Sequence, residues 1–306
     1  MLNFMIHTPV NSRGRITEYV KEHLKELEQE LNDEIMVSSP HDYETGCDEN
    51  ESWLLNCIEK DCLPDLVITH AGEFSALGNT AMGTYFEPLA GELEKRFPIR
   101  PELETLRDPQ GYFYPAAVVA IVMSYNSNQV DQSRFDQAWT DLFQENLKVI
   151  VPDNSKHITV AAGAHILKNH PDYFSTFQGF ERRFSPAEVT KAVAAGEYDL
   201  SITNAGFSMM SKGRGVEINP AREGTILLPQ VLAFKKGSDA RLLKLAALVL
   251  EKEIQDYIGN QGFFTSNPEA VMGEMIRYDG QLKNWEGWSA YIGEVAAYEK
   301  ENGVSR

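Results

Sequence analysis

Three cysteines in 306 residues, at positions 47, 57 and 62, are too few and too irregularly placed to organise this chain. An odd number at spacings of ten and five fits neither a disulfide framework nor a zinc-finger pattern. Basic residues are scarce as well: 28 Lys+Arg stand against 45 Asp+Glu, a formal charge of −17. Affinity for nucleic acid comes from lysines and arginines that displace phosphate counterions, so that partner class is excluded, and an anionic membrane surface would repel the chain. Cations, in contrast, are concentrated near it. Long hydrophobic runs are missing too. The longest, Tyr114 to Met123, is interrupted by a proline and has half the ~20 residues a bilayer-spanning helix needs, so no membrane insertion is expected. The opening Met1-Leu-Asn-Phe-Met-Ile has no basic segment or small-residue cleavage site. No secretory signal is read there, so the sequence as it stands is expected in the cytoplasm, and in the periplasm or outside the cell if a signal has been removed. Catalytic signatures are absent: no G-x-S-x-G elbow, no phosphate-binding loop, no G-x-G-x-x-G and no H-E-x-x-H. No catalytic residue and no cofactor are assigned, and no enzyme is expected.

What the chain does have is 42% hydrophobic residues, enough to bury a core in each of about two compact units. Leu2–Ile6 reads as a strand, and Ile16, Tyr19, Val20, Leu24, Leu27 and Leu31 recur at helical spacing after it, with Asn11 or Ser12 placed to cap. A strand at 34–38, a helix at 52–60 and a strand ending at His70 continue the alternation. Strands and helices in this order need parallel crossovers, which implies an α/β layer. Residues 112–126 break the rhythm with a long apolar strand, and 225–234 form a second one containing Pro229. Between them lies another α/β block in which Ser185-Pro-Ala-Glu starts a helix as a capping box. Helices at 240–258 and 285–300 follow. The chain is therefore expected to build most of one lobe, cross over, build a second and return. Lobe 1 takes residues 1–116 and 230–306, and lobe 2 takes 117–229. Two crossings make a hinge, and strand ends and helix N-termini converge on the groove between the lobes.

Several phrases carry a resemblance. Gly196-Glu-Tyr-Asp-Leu-Ser-Ile-Thr-Asn, then Val216-Glu-Ile-Asn-Pro-Ala-Arg-Glu-Gly-Thr-Ile-Leu-Leu-Pro and Phe234-Lys-Lys-Gly-Ser are similar in order and spacing to the second half of type II solute-binding proteins of ABC importers, in the iron-type and small-ligand group. Tyr112-Phe-Tyr-Pro through Ser124-Tyr-Asn resembles that family's first crossing, and Val149-Ile-Val-Pro-Asp the strand that opens its second lobe. The likeness runs over about residues 110–268. It implies a two-lobed type II periplasmic-binding-protein-like fold that closes on one small ligand (a metal ion, a metal complex or a small anion). It also implies an ABC permease as partner and a monomer as working form. Ferric-ion binders of the family carry adjacent tyrosines after the strand that here ends at Thr203, where this chain has Asn204-Ala-Gly-Phe instead. A cytosolic ligand sensor or carrier on the same fold, and a metal-dependent enzyme using the cleft, stand as alternatives.

Four strand-end loops would meet the ligand, since free N–H groups at helix starts suit an anion or a carbonyl. They supply Asn11 and Ser12, His70 and Glu73, Asn154 and Ser155, and Asn204 and Phe207; Tyr114 is added as an aromatic wall. For each Asn or Ser the competing reading is a simple helix cap, and for Tyr114 it is packing at the hinge. His70 and Glu73 form an N/O pair that a borderline metal accepts, although two ligands do not make a site. His41, Asp42, Glu44, Cys47, Asp48 and Glu49 crowd one loop and read more simply as a solvated acidic segment. His157 and His165 lie eight residues apart on one helix, about 2.2 turns, too far for joint chelation.

Overall fold

The structure, a computed structural model, describes residues 1–40, 52–238, 240–272 and 284–303. The crowded loop from His41 to Glu49 lies outside the described residues. The elements run β1 (Leu2–Ile6), α1 (Val10–Leu31), β2 (Ile35–Ser38), α2 (Trp53–Glu59), β3 (Leu66–His70), a 3-10 helix (Ala71–Leu77), α3 (Gly78–Tyr85), β4 (Phe86–Glu87), α4 (Ala90–Glu94) and β5 (Tyr114–Asn126). Then come β6 (Val149–Pro152), α5 (His157–Asn169), α6 (Phe174–Gln178), β7 (Glu181–Arg183), α7 (Pro186–Ala194), β8 (Leu200–Asn204), α8 (Ala205–Ser211), β9 (Val216–Asn219) and β10 (Ile226–Lys235). The chain ends with α9 (Leu242–Ala247), α10 (Lys252–Asn260), β11 (Phe263–Thr265) and α11 (Trp288–Glu301).

The strand order β2-β1-β3-β10-β5-β8-β6-β7 shows how the chain goes out and comes back. On one flank β1 pairs in parallel with β2 and β3; on the other, β6 pairs in parallel with β7 and β8. Between these parallel blocks run two long antiparallel strands, β5 leaving and β10 returning, whose mutual pairing joins the blocks into one curled sheet. Almost all of β5 and β10 is buried. Side chains such as Val118, Ile121 and Val231 each contribute about 1.5–3 kcal/mol of apolar burial. Pro229 is accommodated because the pairing of β10 with β3 begins only at Gln230, so the missing N–H falls where β10 has β5 alone beside it.

Local chemistry explains most boundaries. Ile16, Tyr19, Val20, Leu27 and Leu31 form the buried stripe of α1, and Asn32 closes that helix in the left-handed region at φ 51°. Ser52 and Ser185 cap α2 and α7 by accepting from the Leu55 and Glu188 N–H groups. Two expectations fail here. The helix α1 starts at Val10 behind Pro9, so Asn11 and Ser12 fall inside its first turn and cap nothing; the Ser12 hydroxyl donates to the Pro9 carbonyl at 3.0 Å. The single helix expected over 240–258 is two, α9 and α10, because side chains satisfy the carbonyls at the break. Gln255 Nε2 donates to the Val249 carbonyl at 2.7 Å, and Asn267 Nδ2 to that of Leu250 at 2.9 Å.

The last helix lies across the two blocks. Glu299 of α11 accepts from Ser75 of the 3-10 helix at 2.7 Å, while Glu294 pairs with Lys168 of α5 at 2.6 Å. The contact with α5 is close enough that a Cβ at Gly163 would lie 2.1 Å from the Tyr298 ring.

Candidate functional site

Where β1, β3 and the start of α5 meet, three histidines and one carboxylate converge. His7 immediately follows β1, His70 ends β3, Glu73 sits in the first turn of the 3-10 helix, and His157 opens α5. Glu73 is the hub and only 4% exposed. Its Oε1 lies 3.0 Å from His157 Nε2 and 3.7 Å from His7 Nδ1. Ligand atoms of His7, Glu73 and His157 all fall within 4.8 Å of one another. Bonds of ~2.1 Å to a tetrahedral ion put neighbouring ligand atoms ~3.4 Å apart. The two distances to Glu73 bracket that value, so the group needs only small side-chain shifts to hold a metal. Two imidazoles and a carboxylate also leave coordination positions for further ligands.

His70 stands behind this group. Its ring stacks on that of His157, with centroids 4.1 Å apart and planes at 29°, and its Nδ1 meets Gln230 Nε2 at 2.6 Å. The Thr69 hydroxyl lies 3.2 Å from His7 Nδ1, and the His7 ring meets that of Trp53 edge-on at 6.4 Å. Buried partners of this sort fix ring orientation, which a ligand shell needs as much as the ligands themselves.

Of the residues proposed from sequence, the structure brings His70 and Glu73 into this cluster. Asn11 lies against α8: its Nδ2 is 3.3 Å from where a Cβ on Gly206 would stand, so the first turns of α1 and α8 touch. Both amide atoms of Asn11 are buried and lack a partner among the described residues, as does the Ser155 hydroxyl. These are polar atoms with capacity for a ligand. Ser155 and Asn154 occupy the loop that leads into His157. Ser12 is engaged with Thr8 and Pro9. Asn204 is a cap, its Oδ1 accepting from the Phe207 N–H at 2.9 Å, which also commits that N–H and leaves Phe207 half-buried. Tyr114 is in the core, fully buried and donating to the Phe97 carbonyl at 2.8 Å; burial pushes its phenol well above the usual range. It opens β5, one of the two crossing strands, and is not part of the cluster.

Two members of the cluster, His7 and His157, are not among the site residues expected from sequence. Each sits one or two positions outside an expected strand-end loop, His7 just before the loop at residues 8–12 and His157 two residues after the loop at residues 153–155. Extending each strand-end loop by two residues would have found both.

The sequence of residues 61–289, well over half the chain, matches the family of bacterial extracellular solute-binding proteins. The chain belongs to this family. No curated protein sequence matches it. Among solved structures, this solute-binding protein is similar to iron-bound HitA from Pseudomonas aeruginosa at 16% identity, covering 100% of this chain and 99% of that one with a TM-score of 0.73. It is similar to the ferric binding protein from Campylobacter jejuni at 15% identity, over 98% and 96% of the chains, with a TM-score of 0.70. The Atu4243–GABA receptor matches at 16%, over 99% and 95%, with a TM-score of 0.66. At such identities the likeness is one of fold, the two-lobed architecture expected from sequence. Neighbours named for ferric iron and for an amino acid share that fold, so the ligand has to be argued from this chain's own residues.

Proposed function

We propose that this solute-binding protein captures a metal ion, alone or as a small complex, between its two lobes and presents it to an ABC permease. The observation that supports this most strongly is the group formed by His7, Glu73 and His157. Its members come from both sides of the crossing strands: His7 and Glu73 from the β1/β3 block, His157 from the β6 block. An ion held by all three is bound fully only when the blocks are closed on each other, so the ion stabilises closure by its differential affinity for that state. The hinge is placed where the chain crosses near 116 and 230, with lobes of 1–116 plus 230–306 and of 117–229. Asn11 and Ser155 then contact ligands that complete the ion's shell. The family's extracellular description and the iron named for two structural neighbours support this reading, and the former supports a working location outside the cytoplasmic membrane. Among the described residues no helix is long and apolar enough to cross a membrane.

The test is metal analysis by native mass spectrometry on protein purified without chelator, beside the variant carrying His7→Ala, Glu73→Gln and His157→Ala. The expected result is one ion per chain in the parent and none in the variant at equal folded content. Equal metal in both, or none in either after reconstitution, would sink the proposal.

A further inference from the structure

We propose that the ion selected by this cleft is a borderline divalent one of the zinc(II) type, and that ferric iron is disfavoured. This deepens the metal-capture reading and rests on it. The argument starts from the donors. Two imidazole nitrogens and one carboxylate oxygen form the group, a third imidazole is stacked against it, and Glu73 is its only anionic member. A small trivalent ion of hard character is best stabilised by several anionic oxygens. Neutral imidazole with a single carboxylate is a donor set suited to zinc, nickel or ferrous iron.

Among the described residues the surroundings supply no phenolate to change that balance. Opposite Asn11, the first turn of α8 offers Ala205, Gly206 and Phe207, none with an ionisable oxygen. Gly206, two positions after Asn204, could not take a large side chain, because a Cβ there would already lie 2.1 Å from the Gln261 carbonyl oxygen. Two nearby tyrosines have other work. Tyr257 donates to the Asn11 carbonyl at 3.2 Å and Tyr19 to Glu251 at 2.6 Å. Tyr291 is half-buried; its hydroxyl, 3.7 Å from where a Cβ on Gly72 would stand, has no hydrogen-bond partner among the described residues, and burial raises its pKa.

The geometry agrees with the donors. Separations of 3.0 and 3.7 Å from Glu73 Oε1 suit ~2.1 Å bonds to a four-coordinate divalent ion, and the remaining position is left to water or an exogenous ligand. Among the described residues the cysteines are Cys57, buried in the apolar core, and Cys62, half-buried against it; neither is part of the group, so a thiolate-selecting soft ion is not favoured either.

The experiment titrates the full chain with zinc(II) and, separately, with iron(III) supplied as its nitrilotriacetate complex, each against a chelator of known affinity. Visible absorption is recorded throughout. The expected result is a zinc affinity at least about a hundredfold above that for iron(III), lost in the Glu73→Gln variant, with no phenolate-to-iron band on adding iron. Iron(III) binding more tightly than zinc(II) through Glu73, or a phenolate band, would overturn the selectivity while leaving metal capture standing. Binding of neither ion, with Glu73→Gln indistinguishable from the parent, would end both.

Discussion

His157 and His165 lie on one helix, eight residues apart, and have opposite fates. At the first turn of α5, His157 meets a buried carboxylate from the 3-10 helix that follows β3, 3.0 Å away. Two turns on, His165 is packed beside Trp139 with only Asn169 near its Nδ1, and its Nε2 has no partner among the described residues. Burial, helped by His170 and Lys168, lowers its pKa to about 4. The residue type is the same and so is the helix. The difference is Glu73: a partner with negative charge turns an imidazole into a candidate ligand, and the lack of one makes it a neutral core residue.

The sharpest way to break this comparison is to remove the charge. Glu73→Gln keeps the size and one hydrogen-bonding oxygen, so the fold should persist while zinc affinity falls by more than about a hundredfold, since a lost ligand costs more than the 10–100-fold of a lost supporting contact. Competition titration measures it, and an affinity within tenfold of the parent would remove Glu73 from its central place. The two histidines then separate. His157→Ala, which also removes a ligand, should likewise cost more than about a hundredfold in the same titration. His165→Gln should leave zinc affinity within about twofold, because nothing connects its ring to the cluster except the helix itself.

His165 has its own signature, in stability. Its imidazole titrates at the ordinary 6.5 when unfolded and at about 4 when folded. Between those values the unfolded chain binds more protons, so the stabilising contribution is complete above 6.5 and is lost as pH falls toward 4. By pH 5 the loss amounts to about 2 kcal/mol. Urea unfolding of metal-free protein at pH 7 and pH 5 should show that this part of the decline is missing in His165→Gln. An identical decline in both proteins would mean that His165 is not held neutral.

Much of this was legible in the sequence because it depends on periodicity. The two long apolar segments announced the crossing strands, and alternation of strand and helix announced the parallel blocks on either side. Site residues were harder, since a strand-end Asn means different things in different places. Asn204 and Asn11 stand at equivalent points, one at the start of α8 and one at the start of α1. Asn204 precedes its helix and caps it, whereas Pro9 begins α1 so early that Asn11 falls within the turn and its amide cannot fold back. Nothing in the local sequence states where Glu73 will lie relative to His157, because that proximity is made by strand order across 84 positions of chain.

The finest distinction concerns His70, which sequence reasoning placed among the ligands and the structure places behind them. Gln230 faces it directly across the β10/β3 pairing. The Gln230 amide nitrogen lies 3.3 Å from the Leu228 carbonyl oxygen as well as 2.6 Å from His70 Nδ1. A backbone carbonyl can only accept, so the nitrogen is the end of the amide that belongs there, and His70 Nδ1 must accept from it. The neutral ring then carries its hydrogen on Nε2 and has no lone pair there to give an ion; its role is to hold the His157 ring by stacking. Gln230→Leu keeps the volume and removes the donor, freeing His70 to exchange tautomers. Zinc affinity should fall by no more than about tenfold, the low end for a supporting contact. Imidazole nitrogen shifts should show His70 passing from one tautomer to a mixture. A loss near a hundredfold with an unchanged tautomer would instead place His70 on the ion, and the contrast drawn along α5 would have to be redrawn around four ligands.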